Sequence, residues 1–241
     1  MNIVIVGFGT AGKYYLELLK KNKDIKKIFI INDIKIKKNR NYNQVTLNYL
    51  LKTKLSIDYA FICTPTDLHY KYAKFFINFG SNVLIEKPFV LKLKHANELI
   101  KLSKKNKTKC WIAYQNRHNK SLVKLKKEID RNSLGKINFV DAILLWHRNH
   151  KYYNSKWRGK YKSDGGVLAN QAIHLLDALV YVFGPIEKFN VVAGFNKKKL
   201  QAEDLICINF VHYNKLITSL KATTRANQDY RVAIDVIGEK N

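Results

Sequence analysis

Within its first 33 residues the chain presents a strand, a glycine turn, a helix and a second strand ending in an acid. Met1-Asn2-Ile3-Val4-Ile5-Val6 reads as a buried strand, and Gly7-Phe8-Gly9-Thr10-Ala11-Gly12 follows it. A helical run continues to about Lys20, and Ile28-Phe29-Ile30-Ile31-Asn32-Asp33 reads as the second strand. Each glycine has its own duty. Gly7 permits a tight turn, Gly9 lets a pyrophosphate approach the backbone, and Gly12 lets the helix pack closely on the strand. Phe8, Thr10 and Ala11 complete the loop, and the helix N-terminus offers N–H groups and a positive dipole end to phosphates. Asp33 lies about 20 residues past the last glycine, where a carboxylate binds ribose hydroxyls. The same carboxylate repels a 2′-phosphate, so NAD is expected over NADP, a preference tempered by Lys35, Lys37 and Lys38 close behind. Glycines serving packing alone would leave the position of Asp33 unexplained.

Alternation of strands and helices continues to about residue 116. A strand over 57–63 ends at Thr64-Pro65, and Asp67 is expected to cap a helix over 68–79. A strand over 82–85 ends at Glu86-Lys87-Pro88, and a helix over 92–106 precedes a strand over 109–114. This pattern predicts a doubly wound parallel sheet over 1–116. Ligands of such sheets gather at the carboxyl ends of the strands. The glycine turn, Asp33, Thr64, Pro65, Glu86, Lys87 and Gln115 are therefore expected to line one cofactor crevice, with His69 capping a turn or touching the cofactor. Residues 117–241 read as an α+β domain on an open, mostly antiparallel sheet. Its helices are expected over 119–130 and 167–183, and its strands over 137–146, 186–194, 204–212, 216–224 and 230–237.

The formal net charge is +26 over 241 residues, which raises the question of nucleic acid. Lysine dominates arginine, asparagine, isoleucine and tyrosine are also abundant, and the lysines are dispersed, as in Lys20-Lys21, Lys104-Lys105 and Lys197-Lys198-Lys199. No nucleic-acid motif accompanies them, so a solvated basic surface is expected, one that attracts anionic small molecules. No apolar run approaches the ~20 residues of a membrane span. The opening apolar run lacks the basic leader of a signal peptide. Cys63, Cys110 and Cys207 are scattered without metal-type spacing, which points to a reduced, cytoplasmic protein and no metal site.

Lys87 stands at a strand end before a proline, and a lysine desolvated in a crevice has a lowered pKa suited to proton transfer. His174 lies on the helix that follows Asp164-Gly165-Gly166. Asn170, four residues earlier, shares its face, and Asp177, three residues later, is placed to orient the ring. Oxidation of a carbinol needs a group to take the hydroxyl proton as hydride leaves, and His and Lys are the usual groups. Trp157 and Arg158 precede this helix. Arg158 either holds a phosphate, a carboxylate or the cofactor, or Trp157 packs beside an exposed arginine. Arg117, Tyr152, Tyr153, His147 and His150 fall on the expected substrate side.

Taken in order, three further stretches join the glycine turn. They are Cys63-Thr64-Pro65-Thr66-Asp67-Leu68-His69, Val83-Leu84-Ile85-Glu86-Lys87-Pro88, and Trp157-Arg158-Gly159 with the run Asp164-Gly165-Gly166 to Asp177. The combination resembles the glucose–fructose oxidoreductase and inositol dehydrogenase family (Gfo/Idh/MocA) along essentially the whole chain. The resemblance implies a Rossmann domain, a substrate domain and a nicotinamide-dependent sugar, nucleotide-sugar or cyclitol dehydrogenase, with Lys87 and His174 as the catalytic pair. It implies cofactor contacts from Trp157 and Arg158, and substrate contacts from Lys87, Arg117, Asn170 and His174. Many members carry Asp where this chain has Asn170. Asn is no base, and in this it is similar to the branch that oxidises nucleotide-linked amino sugars. The resemblance also implies a second domain shorter than is usual, with an exposed sheet edge and self-association through the open sheet. A non-catalytic or regulatory NAD-binding protein of the same fold is the alternative.

Overall fold

The computed structural model describes residues 1–37, 40–155, 157–196 and 200–240, with His150 described in its backbone only. Lys38, Lys197, Lys198, Lys199 and the side chain of His150 thus lie outside the described residues. The chain divides into two compact units, Met1–Ala113 and Tyr114–Asn241.

In the first unit, short apolar runs that are buried on both sides form a parallel sheet. Its elements are β1 (Asn2–Val6), α1 (Thr10–Leu19), β2 (Lys27–Ile31), β3 (Asn43–Gln44), α2 (Leu47–Thr53), β4 (Tyr59–Ile62), α3 (Thr66–Asn78), β5 (Asn82–Ile85), α4 (Leu93–Lys105) and β6 (Cys110–Ile112). The strand order is β3-β2-β1-β4-β5-β6, and every neighbouring pair is parallel. Side chains alternate across the sheet with the period of a strand. Val4 and Val6 pack with Phe76 and Leu99 of α3 and α4, while Ile5 packs on the opposite face with Leu16 of α1. Because every strand runs the same way, the carboxyl ends of β1, β4 and β5 lie along one edge.

One local expectation is corrected. Helix α3 begins at Thr66, with Pro65 in the capping position, so Asp67 falls inside the first turn and its side chain caps nothing. Proline suits this place because it needs no N–H partner, and Asp67 still favours the positive end of the dipole. A further short strand lies beyond Asp33. Asn43 and Gln44 pair with β2, and the Gln44 amide accepts from the Ile36 N–H and donates to the carbonyls of Asn32 and Ile34.

The second unit begins with a 3-10 turn, Gln115–His118, and α5 (Lys120–Asp130), capped by the Asn119 side chain. Then come β7 (Ile137–Leu145), α6 (His150–Tyr153), a π turn over Leu168–Ala172, α7 (Ile173–Phe183), β8 (Ile186–Gly194), β9 (Leu205–His212), β10 (Ile217–Thr223) and β11 (Arg231–Gly238). The sheet runs β11-β7-β10-β9-β8. Its β7–β10 pair is parallel and the others antiparallel. Alternate residues Val140, Ala142, Leu144, Ile206, Ile208, Phe210 and Leu220 are buried in one core with Leu175, Leu179 and Val182 of α7. The intervening residues form an open face. The helix expected over 167–183 carries the π turn in its first part, a feature common where a helix bears functional side chains. No helix among the described residues is long and apolar enough to cross a membrane.

Candidate active site

The glycine turn follows β1, with Gly7 at φ +91°. A Cβ there would come within 2.7 Å of the Cys63 carbonyl oxygen, and one on Gly12 would overlap the carbonyl oxygen of Gly7. Both glycines are thus demanded by backbone packed on backbone. Gly9 differs: a Cβ on it would meet nothing within 4 Å, so the space in front of its backbone is open. The N–H of Phe8 donates to Asn32 Oδ1 at 3.0 Å and so is held by the fold, while its ring packs against Tyr42. Asn32 was invisible as a loop ligand in sequence, since only the pairing of β1 and β2 brings it there. The N–H groups of the first turn of α1, at Thr10, Ala11 and Gly12, have no intrahelical acceptor by construction. Beside the turn, the buried Thr64 hydroxyl has no hydrogen-bond partner among the described residues. An open backbone at Gly9 and an orphaned hydroxyl on Thr64, whose backbone adjoins Gly7, fit a dinucleotide pyrophosphate.

Asp33 is exposed just past β2. It lines a cavity of about 850 Å³ with Asn32, Lys35, Arg40, Tyr42 and Gln44. Arg40, which carried no signal of its own in the sequence, also lines this cavity.

Glu86-Lys87-Pro88 follows β5, with a cis Lys87–Pro88 peptide and Lys87 half-buried. Tyr15 of α1 donates its hydroxyl to Glu86 Oε1 at 3.0 Å, and the Lys87 N–H donates to Glu86 Oε2 at 3.2 Å. Burial, reinforced by the Glu86 carboxylate, raises the pKa of the Tyr15 phenol and of the Cys63 thiol. Both groups stay protonated near neutrality.

His69, expected to cap a turn or touch the cofactor, turns its ring nitrogens to backbone carbonyls. It is 1% exposed, with Nδ1 at 3.0 and 3.2 Å from the carbonyls of Pro88 and Phe89 and Nε2 at 2.9 Å from the Thr64 carbonyl. The ring lies between the segment after β4 and the segment after Lys87; in its neutral form it carries one N–H, so one nitrogen donates to a carbonyl and the other only faces one. Burial lowers its pKa below the ordinary 6.5, outweighing the carbonyls and Glu86, which act in the opposite direction. The neutral ring is therefore the folded form. Its contribution to stability is complete above pH 6.5 and declines as pH falls from there toward the lower folded value. Urea midpoints measured at pH 7.5 and 5.5 should show this decline in the wild type and lose it in His69→Gln. Equal declines in the two proteins would deny His69 this role.

In the second unit, Asp164 is 2% exposed. It accepts from the Gly159 N–H at 2.7 Å and from the Asn170 amide. Gly165 and Gly166 both have positive φ, and the backbone turns there into the helix bearing Asn170 and His174. Gln171 donates to the Tyr152 hydroxyl at 3.0 Å. His174 meets the Tyr114 ring edge-on and lines a cavity of about 470 Å³ with Asn116, Asn119, Ser121, Val232 and Ile234. The amides of Asn116 and Asn119 were missed in sequence, because α5 and α7 are adjacent only in the fold.

Arg117 and Asp177 bind each other. Nε and Nη2 of the arginine reach the two carboxylate oxygens at 2.8 and 2.5 Å, and the guanidinium lies between the rings of Tyr114 and Tyr181. The side chain expected to hold substrate and the one expected to orient His174 thus form a structural ion pair. Arg158 stacks on Tyr152, 3.8 Å from its centroid, and on Trp157 at 5.0 Å. Tyr153 bonds Thr224, and the His147 ring meets the Ala226 carbonyl. These residues build the loop before the helix. Gln115 opens the first 3-10 turn of this unit, Lys87 belongs to the first unit and His174 to the second.

Residues 1–114 match the family model described as an oxidoreductase family with an NAD-binding Rossmann fold, and residues 122–241 match the GFO/IDH/MocA C-terminal domain. Among curated relatives, Oxidoreductase P35 of Formosa agariphila is 31% identical over 59% of this chain and 45% of its own length. The uncharacterized oxidoreductase YhhX of Escherichia coli is 28% identical over 76% of this chain and 54% of its own length. The chain therefore spans about half the length of these relatives. The WlbA dehydrogenase of Bordetella pertussis, solved with NADH and UDP-GlcNAcA, superposes with a TM-score of 0.91 at 24% identity, covering 99% of this chain and 71% of that one. At that identity the likeness speaks for the fold.

Proposed function

The chain belongs to the GFO/IDH/MocA oxidoreductase family, and from that premise we propose that it moves a hydride between the carbinol carbon of a sugar or nucleotide sugar and NAD. The observation that carries this reading is the single sheet edge shared by the open turn at Gly9, the orphaned Thr64 hydroxyl and Lys87, at the carboxyl ends of β1, β4 and β5. Gly7, Gly9 and Gly12, with the N–H groups that open α1, hold the pyrophosphate. Asp33 binds the adenosine ribose, and its charge favours NAD over NADP even with Lys35 and Arg40 in the same cavity. When bound, the nicotinamide supplies the hydride acceptor.

Lys87 and His174 manage the hydroxyl proton. A proton must leave the substrate oxygen as the carbon–hydrogen bond breaks, and a lysine or imidazole nitrogen within hydrogen-bond reach takes it. Asn170, fixed by the buried Asp164, holds a neighbouring hydroxyl and orients the reacting carbon. The cavity beside His174 sets amides against apolar side chains, which suits a sugar bearing an apolar substituent. Self-association through the open face of the second sheet, where Val192 and Ile237 stand exposed, belongs to the same reading.

The test is to incubate the protein with NAD and panels of nucleotide sugars, free sugars and inositols, following absorbance at the NADH band. Reduction with one class supports the reading and names the substrate. Cofactor binding without turnover on any panel would favour a non-catalytic NAD-binding protein.

A further inference from the structure

We propose that Glu203 is a positioning residue for Asn170 and His174, capping from a distant loop the helix that presents both. The first N–H groups of a helix have no partner within it, and a local side chain ordinarily satisfies them. Here that place is filled by the Gly165-Gly166 turn, which has no side chain to offer. Glu203, 35 residues beyond Leu168, does the work: its backbone carbonyl accepts from the Val167 N–H at 2.9 Å and its Oε1 from the Leu168 N–H at 3.1 Å.

The fit leaves no slack. A Cβ on Gly166 would overlap the Glu203 carboxylate, so the glycine is the floor on which the cap rests. Three acids are crowded here, an arrangement that repulsion and desolvation both oppose. Asp204 is balanced by two nitrogens of Arg225, at 2.9 and 2.5 Å, and Asp164 by Gly159 and Asn170. Glu203 is bonded to the helix itself. Retaining a third, partly buried carboxylate in this corner has a physical return only in what it holds. What it holds is the start of the π turn, two residues before Asn170 and six before His174. A shift of this cap moves both side chains together, and displacement of about 1 Å at a reacting group costs on the order of a hundredfold in rate.

The proposed roles of Asn170 and His174 rest on the dehydrogenase reading, whereas the cap does not, and the experiment separates them. Glu203→Gln keeps the reach and an acceptor oxygen. Glu203→Asp keeps the charge and loses one methylene of reach. Amide hydrogen exchange over residues 167–174 is expected to quicken about tenfold in the Asp variant and to stay within about twofold of wild type in the Gln variant. Turnover should follow the same order. We expect kcat about tenfold lower for Asp and near wild type for Gln, with NAD affinity unchanged in both because the glycine turn is untouched. Wild-type exchange in the Asp variant would overturn the proposal, as would a Gln variant as impaired as the Asp one. If wild-type protein turns over no sugar, the dehydrogenase reading fails by itself and exchange still decides the cap.

Discussion

Replacing Lys87 with Met is expected to lower kcat by a factor on the order of 10³ while NAD binds as tightly as it does to wild type. Methionine matches the length of the lysine stem and fills the same half-buried place, so the segment after β5 keeps its packing. The Glu86 contacts to Tyr15 and to the Lys87 N–H do not involve the ammonium. The substitution removes a nitrogen able to exchange a proton with substrate. The Gly7–Gly12 turn and Asp33 are untouched, so calorimetric titration with NAD should return the wild-type affinity. Stopped-flow reduction of NAD with the substrate found in the panel would give the rate of the chemical step. A variant that keeps wild-type turnover would take Lys87 out of the chemistry. One that loses NAD binding as well would make the residue structural.

Replacing Gly12 with Ala attacks the other half of the reading. The added Cβ would overlap the carbonyl oxygen of Gly7 and press on the Ile5 side chain, both belonging to the strand and turn that α1 covers. Backbone cannot swing aside as a flexible side chain does, so α1 has to lift from β1. Overpacking of this kind costs about 2 kcal/mol of stability. The displaced N–H groups at the start of α1 also lose their aim at the phosphates. NAD affinity is expected to fall at least about tenfold, with a matching drop in the urea midpoint. Gly9→Ala is the control. Its Cβ meets no protein atom, so stability should hold, and a selective loss of NAD affinity there would locate the pyrophosphate. Unchanged affinity in Gly12→Ala would show that the glycine turn does not bind the cofactor.

Much of the fold was legible because its signals are local. The apolar runs of β1, β2, β4 and β5, the glycine turn and the alternation along β9 each lie within ten residues or so of contiguous chain. The π turn at Leu168–Ala172 was not legible, since its neighbours would equally continue an ordinary helix. Polar side chains were harder. His69 and Arg117 both read as ligands by type and position, yet each is bonded within the fold, to carbonyls after Lys87 and to Asp177. Asn32 and Glu203 read as unremarkable, yet one holds the glycine turn and the other caps the helix of His174.

The sequence by itself determined the longer strands and helices, the family, and the residue types gathered at strand ends, because backbone preference and burial are written over a few neighbouring residues. Only the tertiary structure decided which polar groups remain for chemistry and which are consumed by the fold. A hydrogen bond has two ends, and for His69, Asn32, Arg117 and Glu203 the second end lies 19 to 60 residues away. Until chain folding brings that partner within about 3 Å, residue type alone does not say whether a side chain is spent or available.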